Sequence, residues 1–275
     1  MRRRQLLAAL LLAPLLALPA ARAASLDDIR ATGTLKVAVY RDFPPFSFVQ
    51  GGELVGIDVE LARAIGKKLA LPVSFMTITP ADDVDGDLRN AVWKGHYLGG
   101  GTADLMLHVP FDPELARRND NAVLFGAYYR EQLAWAGNKL PASVQQIDTQ
   151  RVALENDSLG DLYLSALQGG RLRGQLQHYP DTSTACRAVA DGRAEIAFGT
   201  RSELEWGLYG SQVQLGQPQL PGVIKPSWEI GMATKESLHD LAWAVGDALT
   251  ELRSSGELAA IFQHYHASYR PADEH

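Results

Sequence analysis

The segment Leu35-Lys36-Val37-Ala38-Val39-Tyr40-Arg41-Asp42-Phe43-Pro44-Pro45-Phe46-Ser47-Phe48 opens with six residues that alternate apolar with other side chains and runs into a proline pair. Period-two alternation predicts a strand over 35–40, and Pro44-Pro45 ends it because proline has no N–H for a sheet ladder. Beyond the Gly51-Gly52 turn a short strand is expected near Leu54-Val55. Asp58 then stands where it would cap a helix carrying Leu61, Ile65 and Leu69 on one face. This strand, loop, strand, helix order is a unit of an α/β lobe.

The pattern continues outward in both directions. Toward the N-terminus, Ser25-Leu26-Asp27-Asp28 has capping-box spacing, and Gly33 stops the short helix it would start. Toward the C-terminus, strands are expected over 73–76 and 103–107, with a helix around 87–93 and the Gly99-Gly100-Gly101 run between them. The same alternation begins again after about residue 135, with strands over 151–154, 175–179 and 195–199, which predicts a second lobe. Leu238, Leu241, Val245, Leu249 and Leu252, then Leu258, Ile261 and Phe262 beyond Gly256, predict two amphipathic helices.

The N-terminus reads as a secretory signal. Arg2, Arg3 and Arg4 precede an apolar run from Leu6 to Leu18, which is followed by the small-residue stretch Ala20-Ala21-Arg22-Ala23-Ala24. The apolar run falls short of the roughly 20 residues a bilayer crossing needs. Cleavage is expected near Ala23, with the general secretory and twin-arginine routes both open. Removing residues 1–23 takes away four arginines and no acid, so the formal charge moves from −6 to −10, and a nucleic-acid partner is not expected. With no second long apolar run, no membrane insertion is expected after cleavage. Cys186, the only cysteine, forms no internal disulfide and is expected to be a buried, inert thiol. The acidic stretch 81–87 lacks the glycine position and distal glutamate of an EF-hand, and His264 and His266 sit two apart at the chain end, so no metal or cofactor is expected.

Seven segments in order resemble the substrate-binding proteins of amino-acid ABC transporters, solute-binding family 3. They are the opening stretch 35–48, Gly56-Ile57-Asp58-Val59-Glu60-Leu61-Ala62, Thr102-Ala103-Asp104, Leu124-Phe125-Gly126-Ala127-Tyr128-Tyr129, Arg151-Val152-Ala153-Leu154, Gly192 to Gly199, and Gly256 to Phe262. The resemblance implies a two-lobed α/β periplasmic-binding-protein fold of type II, with two hinge-crossing strands near 129–136 and 222–232 and a ligand cleft between the lobes. The boundaries it suggests are 1–23 for the signal, 24–132 plus 226–275 for the first lobe, and 133–225 for the second.

By the same resemblance Tyr40 and Phe43 occupy the ligand-facing loop, where aromatic rings stack on a ligand, while Phe46 and Phe48 pack the core. Two charged anchors of the family are altered. Its arginine follows a hydroxyl-rich strand end, but here the chain reads His108-Val109-Pro110-Phe111-Asp112 with Arg117 or Arg118 several residues on. Thr200 stands where an ammonium-binding aspartate is expected, and a threonine cannot neutralise an ammonium. Asn156-Asp157-Ser158 replaces a glycine and threonine turn, leaving Asp157 and Ser158 as candidate contacts. The expected ligand-binding set is therefore Tyr40, Phe43, His108, Arg117, Asp157, Ser158 and Thr200, and the expected ligand is a small molecule other than an ordinary α-amino acid.

No Gly-x-Ser-x-Gly, phosphate-binding loop or His-Glu-x-x-His is present, and no catalytic residue is expected. The resemblance implies a periplasmic location for this protein and an ABC permease as its partner. Residues 87–101 and 265–271 also resemble binding-protein homologues associated with quinoprotein (PQQ) alcohol dehydrogenases, which implies a dehydrogenase partner instead. A binding-protein-derived lyase is a further alternative and would need an acid in the cleft, with Glu155 or Glu229 available.

Overall fold

The computed structural model describes residues 25–273 apart from 148, 224 and 225, so the segment 1–23, expected to be a secretory signal, lies outside the described residues. Helix α1 (Leu26–Thr32) starts on a complete capping box. The Ser25 hydroxyl accepts from the Asp28 N–H, the Asp28 carboxylate accepts from the Ser25 N–H, and Gly33 closes the helix in the left-handed region. β1 (Leu35–Tyr40) is buried on both faces in its middle, as an inner strand must be. β2 (Phe48–Gln50) and β3 (Glu53–Val55) pair across Gly51-Gly52.

The next helix, α2 (Ile57–Leu69), corrects one expectation. Gly56, not Asp58, is its N-cap, and Asp58 is fully buried. The reason is steric: Gly56 has φ 131°, and a Cβ there would stand 2.2 Å from the Phe46 carbonyl oxygen. The helix buries Ile57, Leu61 and Ile65, each contributing about 1.5–3 kcal/mol, and places Lys67 and Lys68 at its negative end. β4 (Val73–Ile78), α3 (Val84–Leu88) with a π-helical extension over Arg89–Trp93, and β5 (Leu105–Pro110) continue the lobe.

After α4 (Pro113–Arg118), β6 (Ala122–Gly137) runs for 16 residues through both lobes. The second lobe follows as β7 (Val152–Glu155), α5 (Leu159–Ala166), β8 (Leu176–Tyr179), α6 (Thr182–Ala190), β9 (Ile196–Thr200), α7 (Arg201–Gly207) and β10 (Gln214–Gly216). β11 (Ser227–Lys235) then returns to the first lobe. α8 (His239–Ser254) and α9 (Glu257–His264) break at Gly256, where φ is 79°, as the sequence predicts.

The strands lie in the order β4-β1-β5-β11-β6-β9-β7-β8. β4, β1 and β5 are mutually parallel, as are β9, β7 and β8. The antiparallel pair β11 and β6 links the two sets, with β6 pairing to β11 over 122–132 and to β9 over 133–137. Apolar clusters cover both faces of each half. Leu61, Ile65, Leu249 and Phe262 lie on one face of the first lobe and Leu88, Val92 and Met106 on the other. In the second lobe Leu154, Leu164 and Phe198 lie on one face and Cys186, Val189 and Leu204 on the other. Trp228 packs against cores of both lobes.

The C-terminal segment crosses back over the second lobe. Trp206 of α7 packs on Phe48 and Tyr265, and Glu205 accepts from the Ser268 N–H at 2.6 Å. Among the described residues no helix is long and apolar enough to cross a membrane.

Candidate ligand-binding cleft

In an α/β sheet the carboxyl ends of parallel strands open toward ligands, because the loops that follow them diverge there. Here four such ends converge from two directions: Tyr40 on β1, His108 on β5, Glu155 on β7 and Thr200 on β9. They line a cavity of about 460 Å³, within the range of small-molecule sites. The first lobe adds Arg41, Asp42 and Phe43, the second adds Ser158 and Glu203, and the crossing strands add Glu131, Trp228 and Ile230.

The first-lobe wall is aromatic. Phe43 stacks on Phe46 at 5.2 Å between ring centroids, and His108 meets both rings edge-on at 4.8 and 4.2 Å. Phe46 is 1% exposed and belongs to the core, as expected of it, while Phe43 reaches the cavity. Tyr40 donates its hydroxyl to Asp87 at 2.7 Å, and burial followed by the Asp87 charge holds that hydroxyl well above its ordinary range.

His108 is placed by an irregularity in the sheet. Gly231 faces Val109 and Ala233 faces Met106, so the β5–β11 register slips between them, and His108 adopts φ 61°. Its Nδ1 lies 3.2 Å from the Asp58 carboxylate, which also accepts from the Tyr128 hydroxyl at 2.6 Å. Burial, then the Asp58 charge, raises the Tyr128 hydroxyl strongly. Asp58 thus anchors the histidine from beneath.

The second-lobe wall is acidic. Glu131, 2% exposed, accepts from the Ser202 hydroxyl and from the Gln132 N–H at 2.8 Å, and burial raises its carboxyl. Glu155 accepts from the Thr182 hydroxyl at 2.9 Å. Glu203 accepts from the Thr200 hydroxyl. Burial pushes the Glu203 carboxyl up to about 8, the Glu155 and Glu131 charges add to the rise, and the Thr200 bond opposes it.

Five of the seven residues expected at the ligand are brought together: Tyr40, Phe43, His108, Ser158 and Thr200. Ser158 has a capping role as well. It is the N-cap of α5, accepting from the Asp161 N–H while its own proton goes to the Glu155 carbonyl. Two of the seven lie elsewhere. Arg117 is exposed on α4 and paired with Glu114 one turn away, because α4 begins after the chain has left the cleft. Asp157 occupies the exposed tip of the β7–α5 turn at φ 60°, where its carboxylate accepts from the Asn156 side chain. In the acidic stretch 81–87, Asp83 caps α3, Asp85 binds Asn119 and Arg118, and Asp87 holds Tyr40.

Sequence reasoning missed Glu131 and Glu203 and the ring of Trp228. The charged residues Arg130 and Glu131 between Tyr128-Tyr129 and Leu133-Ala134-Trp135-Ala136 were the available signal, since a charge in an inner strand needs a partner or a function. Thr200 carries no charge, but Glu203, one turn later, brings a carboxyl to the same corner. A wider surface concavity of about 670 Å³ on the second lobe is open to solvent, and its one carboxylate, Glu195, is already engaged by Arg151.

Residues 35–91 match the family model of bacterial extracellular solute-binding proteins, family 3. The L-cystine-binding protein TcyJ of Escherichia coli K12 is 24% identical over 241 residues, covering 86% of this chain and 84% of the relative. Among solved structures, an ancestral cationic amino acid solute-binding protein superposes with a TM-score of 0.70 at 20% identity, covering 87% of this chain and 98% of its own. An amino-acid ABC transporter substrate-binding protein, AbpA of Streptococcus pneumoniae, bound to L-arginine, gives 0.62 at 21% identity, covering 87% and 97%. The chain therefore has the two-lobed periplasmic-binding-protein fold, and residues 35–91 of its first lobe are similar to the bacterial extracellular solute-binding proteins of family 3.

Proposed function

We propose that this protein is exported to the periplasm, captures a small solute other than an ordinary α-amino acid between its lobes, and delivers it to an ABC permease without chemical change. The observation that carries this is the convergence of four strand ends, two from each lobe, on one cavity crossed by β6 and β11. A hinge in two crossing strands lets such a cavity close on its ligand. The departure from amino acids is supported by the arginines: Arg117 pairs with Glu114, Arg130 with Glu229 and Asp273, and Arg201 with Glu205. Arg41 sits exposed at the rim, so a ligand carboxylate meets no buried arginine or lysine among the described lining residues, and the one imidazole there, His108, is already held by the Asp58 carboxylate.

The test is small-angle scattering of the mature protein against a metabolite panel spanning cationic, anionic, zwitterionic and neutral solutes. A ligand-dependent fall in radius of gyration is expected, and its absence for every class would refute solute capture. Periplasmic fractionation with N-terminal sequencing should show a chain beginning next to Ala23.

A second reading, service to a quinoprotein dehydrogenase in place of transport, is favoured by the C-terminal segment. Ser268 and Tyr265 tie the first lobe to α7 and so stiffen the clamp, which suits a fixed docking surface. Co-purification of such a dehydrogenase, together with lobes that never close, would support it. For a lyase, Glu155 does face the cavity, but Glu229 is turned to Arg130.

A further inference from the structure

We propose that the solute is a small organic cation without a carboxylate, an amine or guanidine, held with its positive end among Glu131, Glu155 and Glu203 and its apolar body against Phe43 and Trp228. This rests on the solute-capture reading and names the ligand class for that same cleft.

The charge of the walls is the first support. Three carboxyl groups face the cavity from β6, β7 and α7, and the arginine among the described lining residues is the exposed Arg41. Each of the three carboxyls has a hydroxyl donor that fixes its direction: Ser202 for Glu131, Thr182 for Glu155 and Thr200 for Glu203. Hydroxyl donors orient carboxyl groups without supplying a positive charge, so a cationic guest is the partner that completes them. An anionic group in the same place meets carboxyl groups that offer it no opposite charge.

The rings are the second, independent support. Aromatic faces attract cations through the ring quadrupole, and tryptophan does so best. Phe43 and Trp228 reach the cavity from opposite chain ends, Phe43 from the loop after β1 and Trp228 from the last crossing strand. Rings beside carboxylates, without an inward arginine, form a cation site rather than a zwitterion site.

The protonation of Glu203 follows the same logic. Its neighbours are Glu155 on β7, Glu131 on β6, Thr182 and Cys186 on α6, and Thr200 at its own helix start. With two carboxyls facing it and burial added, Glu203 holds a proton near neutral pH in the empty cleft. A cation arriving there supplies the missing positive charge, and the proton leaves.

The experiment is calorimetric titration of the mature chain with agmatine, putrescine, choline, L-arginine, L-lysine, succinate and glucose. A carboxylate-free cation is expected to bind tightest, with agmatine at least about tenfold ahead of L-arginine, the same cation carrying a carboxylate. Its affinity should rise from pH 6 to 8.5, with proton release seen as buffer-dependent heat. Glu203→Gln, which keeps an acceptor for Thr200, should weaken the cation about tenfold and abolish the pH dependence, with the native circular dichroism spectrum retained. L-arginine or L-lysine equalling the carboxylate-free cations would overturn the inference and leave solute capture standing, as would closure on succinate or glucose alone. No binding by any of the seven, with no closure across the wider panel, would overturn both.

Discussion

Glu203→Gln should make the ligand-free protein more stable at alkaline pH, because the native residue is a carboxyl that folding forces to keep its proton. Below the ordinary value of 4.5 the group is protonated in folded and unfolded chains alike and contributes no difference. Between 4.5 and about 8 the unfolded chain releases the proton while the folded one retains it, so stability falls as pH rises, by about 1.4 kcal/mol per pH unit. Above about 8 the loss is complete, and the full rise from 4.5 sets an upper bound of about 5 kcal/mol. Water entering the open cleft screens part of this, and about 2 kcal/mol at pH 8.5 is the expected gain for glutamine. Urea unfolding of both proteins at pH 4.5, 6.5 and 8.5, read by tryptophan fluorescence, checks it: the midpoints should be close at pH 4.5 and diverge upward. Parallel midpoints at all three pH values, or a glutamine variant less stable at pH 8.5, would show that Glu203 is not held protonated by folding. A residue at the cleft that costs stability in the ligand-free protein fits a binding role, since sites trade stability for function.

Other perturbations probe the frame around the cleft. Tyr128→Phe removes one of the bonds to the fully buried Asp58 and should lower stability by about 1–3 kcal/mol in urea melts, with His108 released from its fixed orientation; a neutral effect would mean that Asp58 does not depend on it. Gly56→Ala sets a Cβ 2.2 Å from the Phe46 carbonyl oxygen at φ 131° and should cost about 3 kcal/mol or more, visible as a fall of several degrees in the melting temperature. Burial pushes the Cys186 thiol up to about 12, so Ellman's reagent at pH 8 should label it only after unfolding, and rapid native labelling would contradict its place between α6 and α7. Truncation before Ser268 removes the bond to Glu205 and should widen the ligand-free scattering envelope, whereas an unchanged radius of gyration would show that the tail does not restrain the lobes.

The local elements were legible because their causes are local. The alternation over 35–40, the Pro44-Pro45 stop, the capping box at Ser25 and the Gly256 break each act within a few residues, and each element appears where the sequence sets it. The exception, Asp58 as a cap, failed for a non-local reason: the approach of the Phe46 carbonyl requires glycine at the helix entry and drives Asp58 into the core. The aromatic and strand-end residues of the cleft, Tyr40, Phe43, His108 and Thr200, were readable from their positions at the ends of expected strands. Arg117 and Asp157 were not separable from them by sequence, since one turn of helix or one exposed turn decides which side of the lobe a side chain takes.

By itself, then, the chain determined the order of strands and helices and the chemistry available at their ends, because hydrogen-bonding period and turn stereochemistry are encoded within a few neighbours. Only the tertiary structure decided the charge of the site. Glu131, Glu155 and Glu203 are separated by 24 and 48 residues in sequence, and nothing local brings them together. They meet because β6 crosses between lobes, β9 pairs with it and β7 with β9, and α7 turns Glu203 back toward the strand ends. Their shared burial, which raises Glu131 and Glu203, exists only once both lobes have packed around them.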